Sequence, residues 1–230
     1  MREAIMSDLT SHAVLRHEPP VDRIQRFTWV ERIMHWYTAA TYIYCGLSGL
    51  AFFTPNLYWI VAVLGGGPTA RIWHPIFGVG FVAGIFWMHH SWSQDLKFDP
   101  PDDRVWLDNV RYYIRNEDEK LPPQGKYDAG QKIYYWVMLY ASIVLILTGI
   151  VMWFPEVLTR GVHWLLPIVV FVHCVAALVT IAGVMLHIYM SVFIVPGSLT
   201  AMTEGHVSRG WAMLHAPKWY ARITARERRP

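Results

Sequence analysis

The chain has 230 residues, of which 54% are hydrophobic and only 16% charged, and its formal net charge is +3. So small a positive excess gives no argument for nucleic-acid binding. The two cysteines, Cys45 and Cys174, both lie in apolar runs, which argues against a disulfide framework or a cysteine-based metal site.

The chain begins with a charged segment, residues 1–32. No apolar stretch interrupts this segment, so it lacks the apolar core of a cleavable secretory signal peptide. We therefore expect an exposed N-terminal tail that precedes the membrane-embedded part of the protein.

Four apolar runs follow the tail, and each is long enough to cross a bilayer as a helix. At about 1.5 Å per residue, roughly 20 residues cover the ~30 Å hydrocarbon layer. The runs cover residues 33–53, 72–92, 133–154 and 164–195. The sequence therefore predicts an all-α integral membrane protein with a four-helix bundle over residues 33–195 and a C-terminal tail over residues 196–230.

The basic residues indicate how this bundle is oriented. Eighteen of the twenty lie in the N-terminal tail, in the connection between the second and third runs, or in the C-terminal tail. Only Arg71 and Arg160 lie in the other two connections. Because positive charge stays on the cytoplasmic side, we expect both termini and the long central connection to be cytoplasmic.

Two histidines on the fourth run suggest a cofactor site. His173 and His187 are fourteen residues apart, which places them only about 40° apart around a helix and about 21 Å apart along it. One helix face thus presents an imidazole near each membrane surface. Ionisable side chains inside a bilayer are usually functional, and this spacing suits two stacked haems.

Depth in the membrane suggests the second ligand of each haem. His74 starts the second run on the outer side and matches His173, while His35 starts the first run on the inner side and matches His187. His89 is an open alternative to His35, because it lies about 60° from His74 around the same helix. A further alternative is that these histidines only pack and hydrogen-bond between helices.

Arginines at the run ends are candidates to bind haem propionates. Arg71 would serve the outer haem, and Arg26 or Arg32 the inner one. Topology alone explains the two inner arginines equally well. The third run, in contrast, has no histidine and no charged residue, so we expect it to serve in bundle packing.

Five segments of the chain resemble a known family. They are ERIMHWYTAATYIYCGLSG from Glu31, RIWHPIFG from Arg71, GKYDAGQK from Gly125, HCVAALVTIAGVMLHIYM from His173 and GSLTAMTEGHVSRGWAMLHAPKWY from Gly197. In these segments the chain resembles the gamma subunit, a di-haem cytochrome b, of membrane-bound respiratory formate dehydrogenase. The resemblance extends from about residue 21 to residue 222.

The resemblance implies a full set of cofactors and partners. It implies that two haems b are held by His35, His74, His173 and His187, which favours His35 over His89. It implies an iron–sulfur beta subunit at the outer surface and, beyond it, a molybdenum or tungsten alpha subunit that oxidises formate. It also implies a quinone that is reduced near the inner haem, and a location in the bacterial cytoplasmic membrane.

The quinone site of the family corresponds to Asp128, Gly130 and Gln131, together with the inner haem ligand. The family often has Asn where this chain has Asp128, and an Asp at this place could also cap a helix. Two alternative functions stay open. One is the cytochrome b subunit of a hydrogenase or a thiosulfate-type reductase, and the other is a haem-free membrane scaffold or metal carrier.

Overall fold

The computed structural model describes residues 23–115 and 117–227. Residues 1–22 of the predicted N-terminal tail, and residues 228–230 of the predicted C-terminal tail, lie outside the described residues. The described part is mostly helical. Its elements in chain order are β1 (Arg23–Gln25), α1 (Trp29–Phe53), α2 (Ile60–Val63), α3 (Gly67–Trp92), α4 (Pro100–Asp108), α5 (Val110–Ile114), α6 (Ala129–Trp153), α7 (Pro155–Leu158), α8 (Leu165–Tyr189), α9 (Ser198–Thr203), β2 (His206–Ser208), α10 (Arg209–His215) and α11 (Pro217–Glu227).

Four long helices, α1, α3, α6 and α8, contain the four predicted apolar runs, and a π-helical turn extends α8 through Ile194. By length and composition, α3, α6 and the extended α8 are apolar enough to cross a membrane. α1 is of similar length, but it carries Glu31 and Arg32 near its start and buries hydroxyl side chains such as Thr38. The prediction of four spans is therefore supported directly for three helices.

The bundle is apolar on the outside and more polar between the helices. Large side chains such as Leu147 and Phe171 face outward, 60% and 68% exposed, whereas Ser48, Ser142 and Thr180 are buried. Soluble proteins show the reverse pattern, while membrane helices pack through small and hydroxyl residues. This distribution agrees with a lipid environment for the bundle.

The helices pack in two close pairs, α1 with α3 and α6 with α8. A Cβ atom on Gly84 of α3 would lie 2.3 Å from the Thr38 hydroxyl of α1, so only glycine permits this crossing. The pairs are joined by contacts of α3 with α6 and of α1 with α8. One such contact is the hydrogen bond between Tyr42 and Thr180, with 3.2 Å between the two hydroxyl oxygens.

At one end of the bundle, three chain segments pack together into a unit that we call the cap, formed by residues 23–32, 95–128 and 196–227. β1 and β2 pair antiparallel, with Ile24 opposite Val207. The Lys218 amide donates to the Gln124 carbonyl at 2.9 Å. The three segments that carry most of the basic residues therefore lie together at one end of the molecule.

Arg26 lies at the centre of the cap, only 7% exposed. Its guanidinium carbon is 4.7 to 5.7 Å from the ring centres of four aromatic residues, Phe27, Tyr127, Trp211 and Trp219. Its Nη2 donates to the Lys126 carbonyl at 2.5 Å. Burial lowers the pKa of the Arg26 guanidinium and raises that of the neighbouring Tyr127 hydroxyl. The aromatic rings hold this buried cation by cation–π attraction.

A buried ion pair attaches the central connection to α6. The Lys132 ammonium lies 2.8 and 2.9 Å from the two carboxylate oxygens of Asp103, which is fully buried. The Asp99 amide also donates to Asp103 at 2.6 Å. Such a pair adds little when intact, but removal of one partner leaves a buried charge without compensation.

We predict that Asp103→Ala destabilises the protein by about 3–5 kcal/mol, because it leaves the Lys132 ammonium buried and unpaired. The double variant Asp103→Ala/Lys132→Met should regain part of this loss. Thermal unfolding in detergent measures both effects. As a control, Lys120→Ala removes an exposed ion pair with Glu117 and should leave the melting temperature unchanged. An unchanged melting temperature in Asp103→Ala would contradict the prediction.

Candidate functional site

The structure brings the four predicted histidines together as two facing pairs. The ring centres of His35 and His187 are 6.2 Å apart, and those of His74 and His173 are 6.4 Å apart. We call the first the cap-side pair, because both residues lie at the cap ends of their helices. The second, at the opposite ends, is the far pair. α8 contributes one histidine to each pair, while α1 and α3 contribute the others.

These separations fit two imidazoles that share one metal ion. With a metal–nitrogen bond of about 2 Å and roughly 1.2 Å from that nitrogen to its ring centre, the two centres are about 6.3 Å apart. No hydrogen bond joins the two rings of either pair among the described residues. Each pair therefore presents two imidazole rings at a separation that one metal ion would fit.

The number of ligands restricts the kind of metal. Within the described residues, no three His, Cys, Asp or Glu side chains form a group that could hold a metal ion. Structural zinc needs four such ligands and catalytic zinc three. Two axial imidazoles suffice only where a macrocycle supplies the remaining ligands, as in haem.

Hydroxyl groups orient both rings of the far pair. Ser48 Oγ on α1 lies 2.7 Å from His74 Nδ1, and Thr148 Oγ1 on α6 lies 2.8 Å from His173 Nδ1. Each hydroxyl is followed by a glycine whose Cβ, if present, would lie 3.5 or 3.6 Å from the Cε1 atom of the same ring. The sequence contains this signal as Leu-Ser-Gly at 47–49 and Leu-Thr-Gly at 147–149, which the sequence analysis missed.

The cap-side pair has different surroundings. His187 stacks on Tyr134 of α6, with ring centres 5.3 Å apart and planes 11° apart. His35 makes an edge contact with Trp36, but its buried Nδ1 has no hydrogen-bond partner among the described residues. α6 thus contacts a histidine of both pairs through Tyr134 and Thr148. The sequence analysis expected this helix to serve in bundle packing, and the structure shows that it also contacts two of the candidate histidines.

His89, the alternative to His35, has another partner. Its Nδ1 lies 2.5 Å from the Tyr135 hydroxyl, and its ring contacts Trp136. The ring that faces His187 belongs to His35. The geometry therefore favours His35 as the second member of the cap-side pair.

The candidate propionate arginines differ in what they bind. Arg71 is exposed one turn before His74 and forms no ion pair with any described residue. Arg26 and Arg32 are instead bound to main-chain carbonyls of the cap, Arg32 through Met202 at 3.1 Å and through Thr203. Of these three candidates, Arg71 is thus the one whose guanidinium has no protein partner among the described residues.

The candidate quinone residues lie at the start of α6, where Asp128 is the N-cap. Its carboxylate accepts from the Gln131 amide at 2.8 Å, and the Gln131 side chain accepts from the Asp128 amide at 3.3 Å. This capping box satisfies two main-chain donors of the helix end. Gly130 lies against Trp106, with 3.0 Å between a built Cβ and the ring. Asp128 therefore has the capping role that the sequence analysis left open.

A cavity of about 40 Å³ adjoins this segment. Gln131 lines it from α6, and Asp128, Arg26 and Trp211 line it from the cap. Buried donors that have no partner among the described residues include Arg26 Nη1 and Trp211 Nε1. A volume of this size holds about three water molecules. The cavity is therefore a polar pocket between the cap and α6.

Comparisons with known proteins agree with this geometry. The family model of the prokaryotic cytochrome b561 matches residues 26–205. The cytochrome b556 subunit of the nitrate-inducible formate dehydrogenase of Escherichia coli K12 is 34% identical over 89% of this chain and 93% of its own length. A second formate dehydrogenase cytochrome b556 subunit of that organism is 34% identical over 88% and 94%. The Haemophilus influenzae subunit is 32% identical over 86% and 82%.

Proposed function

The chain belongs to the prokaryotic cytochrome b561 family, and from this premise we propose that it is the di-haem membrane subunit of a formate dehydrogenase complex. The observation that carries the proposal is that two imidazoles face each other at each end of one bundle. The relatives named as formate dehydrogenase subunits cover nearly the whole chain, which favours this complex over others.

His74 and His173 would hold one haem b, and His35 and His187 the other. When bound, each haem supplies an iron that accepts and releases one electron at a time. The protein keeps the imidazoles in place through Ser48, Thr148 and Tyr134, which contact three of the four rings. Arg71, exposed one turn from His74, would pair with a propionate of the far haem.

We place the cap on the cytoplasmic side of the bacterial inner membrane, with α1 as the fourth span. The support is that the three cap segments carry 13 of the 18 basic residues assigned to the inner side. Lys132, just outside the cap, pairs with the cap residue Asp103. α1 packs along α3, so a membrane location of α3 extends to α1. The far pair would then lie near the periplasm.

The far end of the bundle is the place where a partner that donates electrons would dock. Large apolar side chains are exposed there, including Trp59, Val63 and Trp164 at 65%, 78% and 68%. Exposed apolar groups at a water-facing end mark interaction surfaces. An iron–sulfur beta subunit fits this position, because it would lie next to the far pair, with the molybdenum or tungsten alpha subunit beyond it.

The quinone would be bound at the cap side, near Asp128, Gly130 and Gln131. Tyr134, which stacks on His187, follows Gln131 by less than one helical turn. A quinone at this segment would thus lie close to the cap-side pair and would draw its protons from the cytoplasm. Charge would then move across the membrane with each turnover, which makes the reaction electrogenic.

A cytochrome b subunit of a hydrogenase or a thiosulfate-type reductase would use the same imidazole pairs, so only the partner distinguishes these functions. A haem-free scaffold or metal carrier explains the geometry less well, because two ligands at each site hold a lone metal ion poorly.

Haem content tests the ligand assignment. We predict that His35→Ala retains about half of the haem b of the wild type, whereas His89→Ala retains all of it, because His35 and not His89 faces His187. Pyridine haemochrome spectra of the purified variants measure this ratio. Loss of haem in His89→Ala with full content in His35→Ala would reverse the assignment.

The electron donor tests the choice of complex. In complexes purified anaerobically through a tag on this chain, formate should reduce the haem b absorbance to the level reached with dithionite. Hydrogen and thiosulfate, added separately, serve as controls and should have no effect. Reduction by hydrogen but not by formate would replace the formate dehydrogenase proposal with the hydrogenase alternative.

A further inference from the structure

The far pair differs from the cap-side pair in the hydrogen bonds to its rings. Both far imidazoles have a hydroxyl oxygen within 2.8 Å of Nδ1. The cap-side His35 has a buried Nδ1 with no partner in the described part of the chain. The difference is local, because all four rings are only partly exposed between long helices of similar composition.

The direction of these hydrogen bonds follows from the other contacts of the hydroxyls. Ser48 Oγ lies 2.7 Å from the Tyr44 carbonyl, and Thr148 Oγ1 lies 2.6 Å from the Val144 carbonyl, one turn earlier in each helix. A hydroxyl has one proton and two lone pairs. The proton is donated to the carbonyl, as is usual for Ser and Thr within helices. Each oxygen must therefore accept from the imidazole Nδ1–H.

This arrangement fixes the tautomer and the electron density of the far rings. With the proton on Nδ1, the lone pair of Nε2 is free for a metal. An acceptor on the Nδ1–H makes the ligating nitrogen more basic. A more basic ligand stabilises oxidised iron more than reduced iron, because the oxidised ion carries the higher charge. The hydroxyls should thus lower the reduction potential of a haem held by this pair.

We propose that Ser48 and Thr148 are positioning residues that hold the far haem at a lower reduction potential than the cap-side haem. The inference rests on the proposed function, because it needs a haem at each pair. Gly49 and Gly149 support it, because a built Cβ at either would be in contact with the Cε1 edge of the same ring. The same arrangement, a hydroxyl residue followed by glycine, thus occurs at both rings of the far pair.

The proposed order of potentials would help electrons cross the membrane. In the proposed orientation, electrons move from the positive periplasmic side to the negative cytoplasmic side, against the membrane potential. A far haem of lower potential offsets part of this cost. Ser48 and Thr148 would therefore favour transfer toward the quinone side.

The test is a potentiometric titration of the haem absorbance in the purified two-haem protein. His74→Ala identifies the far haem, whose midpoint disappears in that variant. We expect the far haem to have the lower midpoint in the wild type. Ser48→Ala and Thr148→Val should each raise this midpoint toward that of the cap-side haem. Ser48→Thr and Thr148→Ser keep a hydroxyl and should retain the wild-type value.

A matched control separates the hydrogen bond from the loss of a buried hydroxyl. Ser142 on α6 is fully buried and has no hydrogen-bond partner among the described residues. Ser142→Ala should therefore leave both midpoints unchanged. An equal shift in this variant would overturn the proposal, because it would assign the effect to packing.

Other outcomes also decide the matter. Wild-type protein without haem would refute the proposed function itself. Two haems with an unchanged far midpoint in Ser48→Ala and Thr148→Val, or a far haem with the higher midpoint, would refute only the role of the hydroxyls. If Ser48→Ala loses its far haem, Ser48→Cys gives the same test, because it keeps the size of the side chain with a much weaker acceptor.

Discussion

The distance between facing imidazoles is the constraint on which the rest of the structure depends. α8 presents His173 and His187 on one face, and α1 and α3 must place His35 and His74 slightly more than 6 Å away from them. α1 and α3 cross closely, and this crossing depends on glycine at position 84. α6 completes the bundle with a contact to each ring of α8. The same helix contacts thus determine both the packing of the bundle and the geometry of the candidate cofactor site.

The cap makes the two ends of the bundle different, because it places most of the described basic residues at one end. Its segments come from the beginning, the middle and the end of the described chain, and they meet around the buried Arg26. Basic side chains concentrated in one unit keep that unit on one side of a membrane. The cap also borders the start of α6, where the candidate quinone residues lie. In the proposed function, the membrane topology and the direction of electron transfer would therefore both depend on the cap.

Periodicity predicted much of this architecture, while the orientation inferred from charge stays a prediction. The helical repeat placed His173 and His187 on one face, and depth in the membrane paired them with His74 and His35. The Ser-Gly and Thr-Gly steps at 48–49 and 148–149 are a local signal that the sequence analysis missed. Which ring each hydroxyl contacts, and the contact of Tyr134 with His187, depend on which helices are neighbours. The same reason explains the cap, in which residues 23–25 pair with residues 206–208. Local patterns define helices and their faces, whereas contacts between distant segments require the three-dimensional fold.

The central claim is that each imidazole pair holds one haem. A cryo-electron microscopy map of the purified complex, at a resolution that shows side chains, tests it most directly. We predict two flat densities, one bridging His74 and His173 and the other bridging His35 and His187. A map with well-ordered helices and no such density, or with a density bound to His89 instead of His35, would contradict the account.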